Sequence, residues 1–171
     1  MTSRRRFLES GALIAAGAVL IGEVPLVGQT QDAQQLSKIP DRGPRLDDEL
    51  VREFVKFGHG NMEKTRELLE QQPALINATW DWGGGDWETA LGGASHVGSR
   101  DVALFLLSKG ARMDVFCAAM LGKIEIVKGF LADDPKVIDL KGPHGIPLLR
   151  HAQAGKQDAV VELLIAKGAK G

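Results

Sequence analysis

Four glycines set the pattern of this chain. Each is followed, eight and nine residues later, by a pair of large apolar residues, and a shorter helical segment precedes it, as at residues 89–96 and 147–153. Each unit is therefore predicted to be a helix, a tight glycine turn and a second helix. A unit of this size cannot bury its apolar face alone, so the units must stack. The glycines are Gly60, Gly98, Gly122 and Gly155, and the pairs are Leu68 with Leu69, Leu106 with Leu107, Phe130 with Leu131 and Leu163 with Leu164.

Helical periodicity also predicts which side chains of the second helices face the core. Apolar residues at spacings of three and four fall on one side of a helix. The predicted buried faces are Val102, Leu106 and Leu107 in one unit, Ile126, Phe130 and Leu131 in the next, and Val160, Leu163 and Leu164 in the last.

Short motifs recur at matching places in these units and resemble ankyrin repeats. Residues 89–91 (TAL) and 146–148 (IPL) stand where that family has Thr-Pro-Leu, and residues 106–111 (LLSKGA) and 163–169 (LLIAKGA) are similar to its Leu-Leu-x-x-Gly-Ala ending. The resemblance covers residues 47–171 and implies an all-α array of about four helix-turn-helix units joined by finger loops. The other matching positions are the helix-contact alanines Ala94, Ala118, Ala119 and Ala152 and the prolines of a variant ending, Pro73 and Pro135.

The fingers between units differ in length. Successive turn glycines are 38, 24 and 33 residues apart, against 33 in a regular ankyrin unit. The variation lies between the last apolar residue of one unit and the start of the next. The first finger is therefore predicted to be lengthened and the second to be missing, so that residues 109–122 run from one unit straight into the next.

The N-terminus is predicted to be a targeting signal rather than part of the fold. The basic stretch SRRRFL is followed by twelve uncharged, moderately apolar residues, 11–22, too few for an ordinary membrane span. Arg4, Arg5, Phe7 and Leu8 resemble the twin-arginine export signal, which implies export of the folded protein to the bacterial periplasm. Residues 1–28 are predicted to be this signal, 29–46 a flexible linker and 47–171 the folded domain. A cytosolic helix with a basic start is the alternative, and without a clear Ala-x-Ala cleavage site an uncleaved, membrane-tethered form stays open.

Charge and cysteine content exclude several classes of protein. The net charge is −1 and no dense basic run follows the first few residues, so the footprint of a nucleic-acid-binding protein is missing. The single cysteine, Cys117, can form no intramolecular disulfide and cannot supply paired thiolates to a metal. It is predicted to be a small buried residue.

The lengthened first finger contains every tryptophan of the chain. Trp80, Trp82 and Trp87 alternate with Asp81, Asp86 and Glu88 around three glycines, 83–85. Aromatic and acidic side chains on a flexible loop are typical of binding surfaces. The alternative is that the tryptophans fold over and cover the gap left by the missing finger. Residues 88–90 are predicted to begin the next helix.

The third finger is predicted to form a rigid turn with a histidine at its tip. Gly142, Pro143 and Gly145 surround His144, and Pro147 is predicted at the first helical position. We expect the long first finger to lean across the gap and bring Asp81 or Asp86 close to His144.

The spacing of the histidines predicts no metal site and no cofactor. No two of them are four residues apart, and they fall in different units. His59 and His96, which precede turn glycines, are predicted to contribute a hydrogen bond between neighbouring units, and His151 is predicted to pack between helices. The chain also has no Gly-x-Ser-x-Gly, phosphate-binding loop or dinucleotide fingerprint, so we expect no enzyme.

These patterns predict an exported, non-catalytic module that binds a protein partner through its fingers and inner helices. The alternative is a protein that binds a small ligand or glycan fragment, using residues 80–87 and His144. Neither the partner nor the oligomeric state follows from the sequence.

Overall fold

The computed structural model describes residues 43–170, and these residues are mostly helical. The export signal and most of the predicted linker lie outside this range. Within it, eight α-helices, two short strands and three 3-10 turns follow one another. The helices are α1 (Asp48–Gly58), α2 (Met62–Gln71), α3 (Ala90–Val97), α4 (Arg100–Ser108), α5 (Val115–Met120), α6 (Ile124–Asp133), α7 (Leu148–Ala154) and α8 (Asp158–Ala166); the strands are β1 (Thr79–Asp81) and β2 (Trp87–Thr89); the 3-10 turns are Pro73–Asn77, Pro135–Asp139 and Pro143–Gly145.

The fold begins at a capped helix. The Asp47 carboxylate accepts a hydrogen bond of 2.9 Å from the Leu50 N–H, which satisfies one of the unpaired donors at the start of α1. Leu46, which the sequence assigned to the linker, packs against the core.

The helices are arranged in two rows. The first-row helices are α1, α3, α5 and α7, and each contacts the next: α1 with α3, α3 with α5, and α5 with α7. Each is also packed against the helix that follows it in the chain. Small side chains make this close approach feasible, since Ala90, Ala94, Ala118 and Ala152 are all fully buried.

Two clusters of buried side chains form the core. The first is built from α1 to α5 and includes Phe54, Leu75 and Leu106. The second is built from α5 to α8 and includes Leu148 and Leu164. Cys117 is fully buried in the first cluster, as predicted, and burial raises the pKa of its thiol to about 11.

The predicted buried face of α6 is wrong by one residue. Ile126 and Phe130 are 42% and 46% exposed, whereas Val127 and Leu131 face the core. Adjacent residues of a helix lie 100° apart, and in α6 this turns one member of each apolar pair to the core and the other to solvent. The same rule holds in α4 and α8, where Val102 with Leu106 and Val160 with Leu164 are buried.

The first finger is a β-hairpin. Strands β1 and β2 pair antiparallel, with Trp80 opposite Glu88 and Asp81 opposite Trp87. The glycines at 83, 84 and 85 have φ angles of 126°, 66° and 88°, which other residues rarely adopt. Asp81 closes the loop, because its Oδ1 accepts the N–H groups of residues 83 and 85 at 2.9 and 3.1 Å.

Two predicted helix starts need correction. Glu88 does not begin α3; it belongs to β2, and the hydroxyl of Thr89 caps the helix by accepting the Gly92 N–H at 3.0 Å. Pro147 is likewise the residue before α7 rather than its first member, because its ψ of 156° is extended.

The other two connections differ as the sequence predicted. Residues 109–114 join α4 to α5 without a strand. The third finger has a single bridge between Lys141 and Pro147 around the turn Pro143–Gly145.

None of the helices within residues 43–170 is both long and apolar enough to cross a membrane.

Candidate metal centre

The first and third fingers meet at an acid–histidine contact. The backbone N–H of His144 donates to Asp86 Oδ1 at 2.8 Å, and His144 Nδ1 lies 2.7 Å from Asp86 Oδ2. His144 has a φ of 59°, a left-handed conformation that places its backbone and ring on the same carboxylate. The predicted meeting of the two fingers is confirmed, and the acid that takes part is Asp86, since Asp81 is used to close the hairpin.

The other nitrogen of His144 faces a buried carboxylate. His144 Nε2 lies 3.5 Å from Glu88 Oε2, and His59 Nε2 lies 3.4 Å from the same oxygen. His96 Nε2 is 3.0 Å from Glu88 Oε1 and 3.1 Å from His59 Nε2. Glu88 itself is only 1% exposed. Three imidazoles therefore converge on one carboxylate, and the four ligand atoms lie within 4.8 Å of one another.

Each of these side chains comes from a different part of the chain. His59 caps the end of α1, Glu88 belongs to β2, His96 lies in the last turn of α3 and His144 is at the tip of the third finger. The ring of His59 fits because residue 93 is a glycine: a Cβ there would lie 2.7 Å from His59 Nδ1.

Hydrogen bonds to the outer nitrogens fix two of the rings. His59 Nδ1 lies 3.1 Å from the carbonyl oxygen of Val55, and His144 Nδ1 lies against the Asp86 carboxylate. Both neighbours only accept, so each Nδ1 must carry the proton, and in the neutral ring Nε2 then presents a lone pair. Two lone pairs consequently point at a carboxylate that also presents lone pairs. A cation at the centre, either a proton or a metal ion, would relieve this arrangement.

The Glu88 side chain is ionised despite its burial. Burial alone would raise its pKa, but the adjacent His96 and His59 rings and the Trp82 N–H outweigh that effect and hold the pKa below its ordinary value. Trp82 Nε1 donates to Glu88 Oε2 at 2.7 Å. Among the described residues, Glu88 Oε1 has no hydrogen-bond partner, because His96 approaches it outside hydrogen-bond geometry.

The pKa of Asp86 is also lowered. The largest cause is the hydrogen bond from the His144 backbone N–H, and the His144 side chain adds to it. A charged Asp86 fixes the orientation and the tautomer of the His144 ring, which is how a carboxylate supports a metal-binding histidine.

The spacing of the four groups fits a transition-metal ion. Metal–nitrogen bonds of about 2.0–2.1 Å place neighbouring ligands roughly 3.0–3.4 Å apart in octahedral or tetrahedral geometry. The pairs that touch are 3.0 to 3.5 Å apart and all four ligand atoms lie within 4.8 Å of one another, so the most widely separated ligands would move closer together around an ion. Three imidazoles and one carboxylate suit Zn²⁺, Ni²⁺, Fe²⁺ or Cu²⁺, whereas Ca²⁺ and Mg²⁺ prefer oxygen ligands alone.

The three tryptophans have different environments. Trp80 is half-buried against the first core cluster. Trp82 is 37% exposed with its indole N–H turned inward to Glu88, and Trp87 is 60% exposed. Trp80 therefore contributes to packing, and Trp87 is the tryptophan most exposed to solvent.

Reasoning from spacing missed the convergence of His59 and His96 on Glu88. It did predict their contact between neighbouring units, and the 3.1 Å between their Nε2 atoms confirms it. The available signal was that both histidines lie just before a turn glycine, which stacking would bring side by side. His151 is not part of the cluster; it is fully buried, as predicted, and burial lowers its pKa.

No protein-family model matches the chain. A search of curated proteins also found no match.

Proposed function

We propose that this chain binds one divalent transition-metal ion of the Zn²⁺ class through His59, Glu88, His96 and His144. The observation that carries the proposal is the convergence of three imidazole Nε2 atoms on an ionised carboxylate that is 1% exposed. Hydrogen bonds from the His144 and His59 rings to the Asp86 carboxylate and the Val55 carbonyl, and from the Trp82 N–H to Glu88, hold these ligands from behind. This proposal replaces the expectation, drawn from spacing, that the chain holds no metal.

The metal ion would also join distant parts of the fold. One ligand lies on the first finger, one on the third, and two at the ends of first-row helices. Binding would therefore fix the hairpin against the turn that contains His144. We propose a structural role for the ion in this sense, because its four ligands join the two fingers to the ends of two first-row helices.

The architecture we propose is an array of four ankyrin-type units. Support comes from the row of contacts α1–α3–α5–α7, from the buried alanines of these helices and from the finger loops between pairs. We retain the proposal that residues 1–28 direct export to the periplasm, because the SRRRFL motif resembles a signal that carries folded proteins.

Metal titration of the untagged full chain tests the proposal, since a histidine tag would bind the same ions. After removal of metal with a chelator, we expect one Zn²⁺ or Co²⁺ per chain by calorimetry. Glu88→Gln keeps the size of the side chain and removes the charge, so it should weaken binding by at least about tenfold. Glu125→Gln alters an exposed acid on α6 and serves as the matched control. No stoichiometric binding, or an equal loss in both variants, would contradict the proposal.

A protein partner on the hairpin is the second candidate function. It is favoured by Trp87, whose side chain is 60% exposed on a loop beside acidic residues. We expect Trp87→Ala to abolish capture of a periplasmic protein without changing thermal stability, and Phe130→Ala, which alters an exposed aromatic on α6, to leave capture intact. A fall in stability without loss of capture would instead favour a packing role for the tryptophan.

A further inference from the structure

A pocket of about 450 Å³ adjoins the metal centre. His96 forms part of its wall, so the pocket and the metal site share a side chain. Gly145, the residue after His144, lies on the same wall, and Ile146, Pro147 and Ala154 supply apolar surface. A molecule in this pocket would lie beside His96, one of the four proposed ligands of the ion.

Besides His96, the polar side chains of the pocket come from α7. Arg150 and Gln153 line it together, and Arg150 Nη1 donates to Gln153 Oε1 at 3.1 Å. Within residues 43–170, no carboxylate lies within ion-pair distance of Arg150. A guanidinium has five N–H donors, and its flat fork matches the two oxygens of a carboxylate or phosphate.

We infer that this pocket takes a small molecule with a carboxylate or phosphate group, which coordinates the metal beside His96 and accepts hydrogen bonds from Arg150. The inference rests on the proposed metal site. Four protein ligands leave two positions of an octahedral ion open, and an oxyanion can occupy them. The apolar wall of Ile146, Pro147 and Ala154 then receives the carbon part of the molecule.

The charges make this binding depend on the metal. Without an ion, the Glu88 carboxylate lies 3.0 Å from His96, which lines the pocket, and would repel an anion there. A divalent ion more than offsets Glu88, and Arg150 adds a second positive charge. The metal-free protein should therefore bind oxyanions at least about tenfold more weakly than the loaded protein.

The test uses the full chain saturated with Co²⁺, whose visible absorption reports on the ligands of the ion. We expect succinate or inorganic phosphate to change this absorption in a saturable way, and succinamide, a neutral analogue of succinate, to leave it unchanged. The response to succinate against that to phosphate distinguishes an organic acid from a phosphate compound. Arg150→Gln should raise the apparent Kd of the anion at least about tenfold, whereas Lys136→Gln, a change on an exposed 3-10 turn, should not.

The outcomes distinguish a failure of the inferred pocket ligand from a failure of the proposed metal site. An absorption spectrum that neither anion changes in the Co²⁺-loaded protein overturns the pocket ligand and leaves the metal site in place. Wild-type anion affinity in Arg150→Gln overturns the assigned role of Arg150 and with it the inferred site. Failure of Co²⁺ to bind overturns the proposed function and, as a consequence, this inference.

Discussion

At the scale of single residues, the role of Glu88 depends on the groups that surround it in the fold. In the sequence it is one of three acids in a glycine-rich loop. In the fold it is a buried, ionised side chain, and His59, His96, His144 and Trp82 are the groups that face it. The sequence could identify it as a candidate binding residue, but not its burial, because that depends on two helices and a finger packed around it.

Glu88 should make stability depend on pH. Its pKa in the folded protein is below the ordinary value of 4.5, so the stabilisation is present above that value and is lost as the pH falls through the folded pKa. We expect the difference in thermal midpoint between wild type and Glu88→Gln, measured in chelator, to be largest above about pH 5 and to shrink below about pH 4. A constant difference across this range would contradict the assignment of a charged Glu88.

Gly93 should control the position of His59. A methyl group at residue 93 would lie 2.7 Å from His59 Nδ1, so Gly93→Ala must displace the ring and weaken metal binding by about tenfold. Gly129→Ala is the matched control, because a Cβ on that exposed glycine of α6 meets nothing within 4 Å. The control should raise stability by up to about 1 kcal/mol, since alanine favours helix more than glycine. Calorimetric metal titration of the two variants makes the comparison, and equal affinity in both would count against the role of Gly93.

At the scale of elements, the sequence predicted the lengths of the connections between helices better than it predicted which helix faces are buried. The lengthened first finger and the missing second finger follow from counting residues between glycines, and they led to the expectation that Asp81 or Asp86 would lie close to His144. The buried face of α6 did not, because Ile126 and Val127 are equally apolar and only the packing of α6 against its neighbours selects Val127. The same limit explains why the histidine cluster was missed, since its members come from four separate elements.

Asp86 should act as a positioning residue for His144. In Asp86→Asn, the amide oxygen can still accept the His144 backbone N–H, but the second oxygen that faces Nδ1 is replaced by a donor. The ring tautomer is then no longer fixed, and we expect metal affinity to fall roughly 10–100-fold with little change of thermal midpoint in chelator. Asp139→Asn, at an exposed site, is the control. Metal affinity equal to wild type in Asp86→Asn would refute this role.

At the scale of the whole molecule, the centre links parts of the chain that belong to different core clusters. His59 lies at the end of a helix of the first cluster, and His144 lies in the loop that leads into α7, a helix of the second. The predicted all-α class is confirmed for the described residues, apart from the short hairpin.

Metal binding should stabilise the whole domain. An ion that binds only the folded state adds about 2.7 kcal/mol when its free concentration is 100 times Kd. We expect the thermal midpoint to rise by several degrees with Zn²⁺, and hydrogen exchange to slow both in residues 83–88 and in residues 142–146. A rise of equal size in Glu88→Gln would show that the ion acts elsewhere, and protection confined to one finger would argue against a shared site.

The separation of His59 and His144 by 85 positions of the chain has a consequence for synthesis and maturation. No ribosome-bound fragment that ends before the third finger can contain the full set of ligands, so the ion cannot be captured with full affinity until the last unit has been made and docked. Occupancy by metal would then distinguish finished molecules from unfinished ones, which would matter under the proposed export of the folded protein.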